Sequence, residues 1–594
     1  MNAIPPTPPA LGVTRSVTGR RWIWRGGEER TALLLAQRTG VSEVVGRLLA
    51  ARNIGADDAA DFLSPTLRAL LPDPSVLTDM DTAASRLARA IQTGETVAVF
   101  GDYDVDGACS AAVITLLLRG FGCPVLTHVP DRLLEGYGPN APALRALAVQ
   151  GATLVVCVDC GTAAAGPLAT LEGLADVLVL DHHKAEGPPP PVFATVNPNR
   201  LDDGSGLHGL CAAAVAFLAA VATVRTLRRA GWFATRPEPD LRALLDLVAL
   251  ATVCDVMPLV GVNRALVTQG LKVMGRRDRP GIAALLEVAA AKDHLSAATL
   301  GWALGPRINA AGRIDDSGLG LRLLLTDDPV EARALATKLD AVNRDRQELE
   351  AAVLDDAHAH AHAQADAGRA VLLVHGDGWH PGVVGIIAGR IKQRQNRPAL
   401  AGALADGIVR GSGRSVTGVD LGAAVLAARR EGLLTTGGGH AMAAGFSLRI
   451  GHLDDFHAFL EDRLAHAAAL PRTPDLIVEA TVAVAGAGVE LAQQIARLSP
   501  FGAGNEEPIV ALPRARVVRA EWIGRDGATL RVIAEGEGGQ GRVKAMLFRA
   551  AETPLGQSLA TPGAPLHLAG HVRAEEWNGT TTACFVVSDA AAVG

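Results

Sequence analysis

The chain has 594 residues, 49% of them hydrophobic and 20% charged, a balance that belongs to folded protein and excludes wholesale disorder. Its 56 basic and 62 acidic side chains leave a formal charge of −6. No bulk attraction therefore holds it to nucleic acid, and any polyanion must be bound by local basic groups or metal ions. Seven cysteines in a chain of this length argue against a disulfide scaffold and for a reducing compartment.

In chain order, residues 1 to about 25 are Pro-rich, lack the apolar stretch of a signal peptide and read as a loose tail. Residues 30–80 carry short helical patterns broken by Pro65, Pro72 and Pro74. A helix over 81–92 leads into a strand at 96–100 and a helix over about 108–119. Further strands are expected at 124–129, 153–158 and 177–180, with helices between them. Such alternation predicts βαβ units and a largely parallel sheet. Helices follow over 209–229 and 240–254. The longest apolar run, Leu210 to Val224, has 15 residues. A membrane span needs about 20, so the run reads as a buried helix and the protein is expected in the cytoplasm, with no membrane partner.

Residues 296–326 contain GWALGPRINAAGRIDD and a short helix. From Val330 to Ala367 there is no Gly or Pro, and Leu335, Leu339, Val342, Leu349 and Val353 recur at helical spacing. A helix of that length spans on the order of 55 Å and reads as a rigid strut joining two lobes. A second α/β lobe is expected from a strand at 370–374, a helix at 382–394, strands near 398–404 and 407–411, and a helix at 421–431. Beyond Pro471–Pro474 the chain is strand-rich with Gly turns, which predicts a small antiparallel barrel. The expected boundaries are a tail and helical segment at 1–80, an α/β lobe at 81–260, a helical connector at 261–367, the second α/β lobe at 368–470, and the barrel at 475–594.

Element ends deliver ligands of the kind that bind metals. Asp102, Asp104 and Asp106 follow the first strand, and Asp159 follows the strand at 153–158. Asp181, His182 and His183 follow the strand at 177–180, and Asp255 follows an apolar helix. In open parallel sheets functional residues gather beyond the carboxyl ends of strands. Clustered carboxylates repel one another in a low-dielectric cleft unless cations join them. Carboxylates with imidazoles suit Mn²⁺ or Mg²⁺, and two such ions can activate water against a phosphodiester. Taken singly, an Asp after a strand is usually a turn residue or helix cap. A calcium loop is excluded, because the position for its Glu holds Val113.

The Asp181-His182-His183 triplet, with Asp104-x-Asp106-Gly107 upstream, resembles the DHH phosphoesterase superfamily. GDYDVDG at 101–107, VPDRLLEGYG at 129–138, VDCGT at 158–162, NPN at 197–199, LDLVALATVCDVMPL at 245–259, GPRINAAGR at 305–313, GSGRS at 411–415 and GGGHAMAAG at 437–445 narrow the resemblance to the RecJ family. Those enzymes are bacterial exonucleases specific for single-stranded DNA that work 5′→3′. The resemblance covers about residues 30–590. It implies a DHH domain, a DHHA1-type substrate domain and an OB-like domain. It also implies two Mn²⁺ or Mg²⁺ ions and a role in DNA repair and recombination, with single-stranded-DNA-binding protein and a helicase as partners. Asp104, Asp106, Asp159, His182 and Asp255 match the family's metal ligands, with Asp102 beside them. His183, Asp159 and Asp104 are the expected catalytic groups.

A 5′-directed enzyme must recognise a chain end, and the Arg fork suits phosphate. Arg132, Arg307, Arg313 and Arg414 stand in Gly-flanked, loop-like settings. The resemblance assigns Arg132, Arg313, Ser412 and Arg414 to a terminal-phosphate pocket; Arg307 and Asn309 are further substrate-binding candidates, with pairing to a surface carboxylate as the alternative for Arg307. It makes Tyr137 a base-stacking position and presents Gly438, Gly439 and His440 to the substrate. Trp522, Phe548, Trp577 and Phe585 are available for stacking, and Arg514, Arg516, Arg519, Arg525, Arg531 and Lys544 for the strand backbone. Cys157-x-x-Cys160 reads as structural, and His358, His360 and His362 as part of a solvated helix. Two alternatives remain, a DHH-type phosphodiesterase of short oligonucleotides or cyclic dinucleotides, and a non-catalytic DNA-binding scaffold.

Overall fold

The computed structural model describes residues 8–132, 134–185, 187–291, 294–471, 473–524, 527–577 and 579–593. It comprises two compact units. One runs through Gly305 and includes Gly320–Leu335 and the chain from Asp475; the other consists of Pro306–Leu319 and Ala336–Pro474.

In the first unit, residues 8–25 are not a loose tail. Strand β1 (Trp22–Trp24) lies parallel to Leu476–Val478. Trp22 is fully buried, and its indole N–H donates to Asp589 at 3.0 Å. A buried Trp supplies a large apolar area and needs a partner for its N–H; Ala10 and Val13 pack nearby, but Leu476, Val478, Ala511, Ala569 and the partner Asp589 lie more than 400 positions away, so no local pattern announces them.

Strands β2 (Val97–Gly101), β3 (Val125–His128), β4 (Leu154–Val158), β5 (Asp176–Leu180) and β6 (Ala194–Val196) form one parallel sheet in the order β3-β2-β4-β5-β6. The Val- and Leu-rich strands β2 and β4 are buried along their whole length, as expected of a parallel sheet covered on both faces. Helices Met80–Thr93, Val105–Gly120 and Ala212–Arg229 contribute to that cover. The chain moves from β2 to β3 on one side and then to β4 on the other. This switch opens a crevice at the carboxyl ends of β2 and β4.

In the second unit, β7 (Leu372–Asp377), β8 (Ala399–Ala405), β9 (Ile408–Arg414), β10 (Thr436–His440) and β11 (Ala443–Arg449) pair in the order β10-β11-β9-β8-β7. Alternation splits the sheet's apolar residues. Leu372, Val374, Ala399 and Ala401 pack with Ile387 and Ile391 of helix Val384–Gln395. Val371, Leu373, Leu400 and Val409 pack with Leu421 and Val425 of helix Leu421–Arg430. The strut is a continuous helix, Pro329–Asp366, of 38 residues.

From Asp475 the chain, back in the first unit, forms β12 (Leu476–Val478), β13 (Ala480–Thr481), β14 (Val510–Ile523), β15 (Thr529–Glu535), β16 (Arg542–Leu547), β17 (Leu566–Trp577) and β18 (Thr580–Ala592). Pairing runs β14-β15-β16-β18-β17, and β17 pairs again with β14, so the hydrogen bonding closes on itself. The core of this region includes Leu35, Leu48, Leu49 and Phe62 from the N-terminal helical segment. No helix among the described residues is long and apolar enough to cross a membrane.

Candidate active site

Five of the acidic groups arrive at one point because β2, β4 and β5 are neighbours and end together. Asp102 follows β2 and is buried. Asp104 caps helix Val105–Gly120, its Oδ1 accepting the N–H groups of Asp106 at 2.9 Å and Gly107 at 3.1 Å. Gly107 is required here, since a Cβ would sit 2.4 Å from the Asp102 carbonyl oxygen. Asp106 is buried and accepts two N–H groups at the start of helix Ala212–Arg229, from Ala212 at 2.7 Å and Ala213 at 2.8 Å. Asp159 follows β4 in the left-handed region, φ +60°. Asp181 ends the β5 edge and is followed directly by the two histidines.

Three ligand groups result, each with donor atoms within 4.8 Å of one another: Asp159, His182 and His183; Asp106, His182 and Asp255; and Asp102, Asp104 and Asp159. His182 Nε2 lies 3.3 Å from Asp159, 3.5 Å from Asp255 and 3.6 Å from Asp106. Asp102 Oδ1, Asp159 Oδ1 and Asp255 Oδ2 are buried without a hydrogen-bond partner. Orphaned carboxylate oxygens around an imidazole are the donor set a hard divalent cation requires. Burial, then the charge of neighbouring carboxylates, pushes Asp102 and Asp255 up to about 8. The same causes hold Asp159 well above the carboxylate range. Burial raises Asp106 as well, against the pull of His182.

Asp181 behaves differently. Burial opposes its ionisation, but it accepts His183 Nδ1 at 2.8 Å, the His182 and His183 amides at 2.7 and 3.1 Å, and the Thr162 amide at 3.0 Å. These bonds hold it below the carboxylate range. Burial works against a charged His183, yet Asp181 outweighs it and lifts the ring to about 9. Asp181 therefore orients His183. Tyr137 touches the same ring, its hydroxyl 3.1 Å from Nε2, and donates to the Asp159 carbonyl at 3.2 Å. Arg132 stacks over Tyr103 at 5.2 Å, and its charge favours the ionised form of Asp102.

In the second unit the strand register aligns two motifs. Ser412 of β9, Gly445 of β11 and Gly438 of β10 form one row, and Arg414, Ala443 and His440 form the next. Arg414 donates to Ser412 Oγ at 2.8 Å. A Cβ at Gly385, in the first turn of helix Val384–Gln395, would lie 3.1 Å from Arg414 Nη2 and 3.2 Å from Ser412 Oγ. Arg313 donates to the Gly382 carbonyl at 3.1 Å, just before that helix. Two arginines and a hydroxyl thus meet a helix N-terminus, a combination suited to phosphate.

The chain matches family models for the DHH family N-terminal domain over residues 96–252, the DHHA1 domain over 368–466 and the RecJ OB domain over 478–589. It is 42% identical over 413 residues to the single-stranded-DNA-specific exonuclease RecJ of Dickeya dadantii, covering 67% of this chain and 71% of that protein. It is 36% identical over 537 residues to the Salmonella typhimurium protein of the same name, covering 88% and 91%. The chain belongs to the RecJ family. Its fold matches the crystal structure of RecJ in complex with Mn²⁺ from Thermus thermophilus with a TM-score of 0.78 at 29% identity, covering 95% of this chain and 78% of that one. RecJ from the same source has also been crystallised with Mg²⁺.

Within this RecJ framework some expectations need correction, while the structural reading of the two cysteines and the solvated reading of the histidine-bearing helix agree with the structure. GPRINAAGR is not a loop but part of the helix Gly305–Ile314. Arg307 on it pairs with Asp340 at 2.9 Å, the carboxylate pairing that competes with a phosphate role, and Asn309 lies on the same helix, partly buried. Arg414 ends strand β9 rather than sitting in a loop. The Gly437–His440 run belongs to the edge strand β10 rather than to a turn. Gly439 there has φ +149°, and a Cβ would lie 2.4 Å from the Ala443 carbonyl oxygen. Cys157 and Cys160 are buried and unpaired with each other. His360 and His362 are exposed and face Asp356 and Asp366. Arg525 and the Trp577 side chain lie outside the described residues, and Phe585 is core.

Three supporting groups went unread in the sequence. Asn197 donates to the His183 carbonyl at 2.8 Å, and Asn199 to the His182 carbonyl at 2.6 Å. His380 accepts the Gly382 amide at 3.0 Å beside Arg313. The NPN motif was visible, but its contact with the two histidines exists only in three dimensions.

Proposed function

We propose that this chain is a metal-dependent exonuclease that degrades single-stranded DNA 5′→3′ to mononucleotides in DNA repair and recombination. The observation that carries the reading is the set of three overlapping ligand groups, two of carboxylate and imidazole and one of carboxylates alone, with buried, unpartnered oxygens. It occurs in a chain whose relatives are named single-stranded-DNA-specific exonucleases.

Asp102, Asp104, Asp106, Asp159, His182 and Asp255 would hold two Mn²⁺ or Mg²⁺ ions. When bound, such ions supply Lewis-acid activation of water and stabilisation of the leaving oxygen. The chain's own residues do the rest. Asp106, fixed by two helix amides, and Asp104, fixed as a cap, keep their carboxylates in place without reorganisation. Asp181 holds Nδ1 of His183, which leaves Nε2, next to the Tyr137 hydroxyl, as the atom that meets the scissile phosphate. Arg132 adds positive charge near Asp102. Ser412 and Arg414, with Arg313, bind the terminal phosphate, and the β10 run of Gly438, Gly439 and His440 carries the strand past it. Arg307, paired with Asp340, and Asn309 lie on the helix Gly305–Ile314 that also carries Arg313, and stand as further substrate-binding positions. On family resemblance the proposal extends to a single-stranded-DNA-binding protein and a helicase as partners, and to a cytoplasmic location.

The test uses long single strands labelled at either end, together with blunt, 5′-tailed and 3′-tailed duplexes. Mn²⁺-dependent release of 5′-labelled mononucleotides first is expected, with blunt duplex a poor substrate and a 5′ tail restoring digestion. EDTA-resistant cleavage, release from the 3′ end, or turnover confined to a dinucleotide such as pApA would overturn the reading.

A further inference from the structure

Asp255 differs from the other acidic groups in standing at the carboxyl end of a helix, Leu245–Cys254. The helix closes as a Schellman motif: the Val256 amide donates to the Val253 carbonyl and the Met257 amide to the Thr252 carbonyl, both at 3.1 Å. The seat after the cap, normally Gly, is Val256 with φ +59°. Its side chain is 69% exposed, so burial does not compensate. A β-branched residue stays in the left-handed region only where its surroundings dictate it.

The surroundings that dictate it come from the C-terminal region. The Leu259 amide donates to the Ala503 carbonyl at 2.7 Å. A Cβ on Gly504 would lie 3.1 Å from Pro258 Cβ, and one on Gly502 would lie 2.7 Å from Leu259 Cδ1, so the two loops are in direct contact. Asn505, 1% exposed, shapes its loop by donating to the Leu498 and Pro500 carbonyls, both at 2.8 Å, while its Oδ1 accepts Arg52 Nε at 3.2 Å. Arg264 donates to the Ser499 carbonyl at 2.6 Å. On the other side, Asn263 donates to the Pro258 carbonyl at 3.0 Å and the Gly209 carbonyl at 2.6 Å. Gly209 leads into the Ala212 and Ala213 amides that hold Asp106.

We propose that the loop Ser499–Asn505 is a positioning element of the metal site: it clamps Pro258–Leu259 and thereby sets Asp255, with Asn505 as its organising residue. The inference rests on the reading of Asp255 as a metal ligand. The C-terminal region then completes the metal centre as well as holding DNA, because buried polar networks of this kind fix one geometry.

The experiment uses the full chain with Asn505→Ala, Gly504→Ala and, as control, Asp255→Ala. Mn²⁺ affinity is measured by electron paramagnetic resonance. Turnover is measured on a 5′-phosphorylated dinucleotide, too short to need a strand-holding domain. Exchange of the Leu259 amide is followed in metal-free protein. Both loop variants should bind Mn²⁺ about ten- to a hundredfold more weakly, the usual cost of losing outer support for a ligand. Dinucleotide turnover should fall and recover with excess Mn²⁺, Leu259 should exchange faster, and metal-free affinity for long DNA should be unchanged. Gly504→Ala removes no side-chain hydrogen bond, so it carries the test if Asn505→Ala fails to fold. Folded loop variants with wild-type Mn²⁺ affinity and dinucleotide turnover, alongside an Asp255→Ala enzyme that loses both, would overturn the clamp. Normal Mn²⁺ binding by Asp255→Ala would instead show that the metal reading of Asp255 had failed.

Discussion

Asp159 sits at φ +60° with one carboxylate oxygen buried and unpartnered, an expensive placement that the proposed metal role accounts for. Asp159→Asn should therefore lower the rate at least about a hundredfold, the scale of losing one preorganised electrostatic group. In EDTA the variant should melt no lower than wild type, because Asn matches the neutral carboxyl that burial favours there without metal; initial rates and melting curves on the same preparation check both. A pH effect follows from Asp102 and Asp255, raised from 3.8 to about 8. Between those values the metal-free folded state holds protons that the unfolded chain releases. Its stability is fully present below the lower value and falls as pH rises through the upper one. Cation binding needs the carboxylates deprotonated. The Mn²⁺-induced rise in Tm should thus be larger near about pH 8 than near about pH 6. Melts with EDTA and with Mn²⁺ at both pH values decide it, and a metal-free Tm flat across that range would contradict the assignment. At this scale the ligand types were legible from residues alone, since each Asp or His follows an apolar run. The roles of Asn197, Asn199 and Asp181 were not, because a supporting hydrogen bond leaves no spacing signal.

Elements made of glycine were the ones misread. Pro306 and Gly305 look like breakers, yet the π-helical turn Thr299–Leu304 runs directly into Gly305–Ile314, and the Gly305 N–H donates to the Leu300 carbonyl, a shift of register that a residue without an N–H can follow. Gly437–Gly439 looks like a turn, but the triplet lies in a strand that neighbours approach too closely for any Cβ except at Gly438. Its pairing to β11 sets the rows that bring Ser412 into line with Gly438 and Arg414 into line with His440. Arg414→Ala should remove one charged phosphate contact, about 1.5–3 kcal/mol or roughly ten- to a hundredfold. The loss should appear for 5′-phosphorylated strands and not for 5′-hydroxyl strands. Equal losses on the two substrates, measured by competition binding, would withdraw the end-pocket role.

Across the whole molecule, the N-terminal segment and the C-terminal region share one core: Leu35, Leu48, Leu49 and Phe62 pack with Leu512, Leu530 and Phe585, and buried Arg52 pairs with Glu479. A fragment beginning at Asp475 should therefore expose apolar surface and aggregate, whereas the same fragment expressed with residues 8–64 should stay soluble. Size-exclusion chromatography of the two preparations tests this, and a monomeric isolated fragment would refute it. The sequence by itself determined the alternation of strands and helices, the acidic and histidine ends of β2, β4 and β5, the 38-residue strut and the strand-rich end. Those features are periodic or local, and hydrophobic spacing encodes them directly. Only the tertiary structure decided which strands are neighbours, and hence which carboxylates come together. It also decided that Trp22 is core, that Arg307 pairs with Asp340, and that a loop near residue 503 contacts Pro258 and Leu259. Each of these is a contact between distant parts of the chain, chosen by burial and hydrogen-bond satisfaction in three dimensions rather than by any order along the sequence.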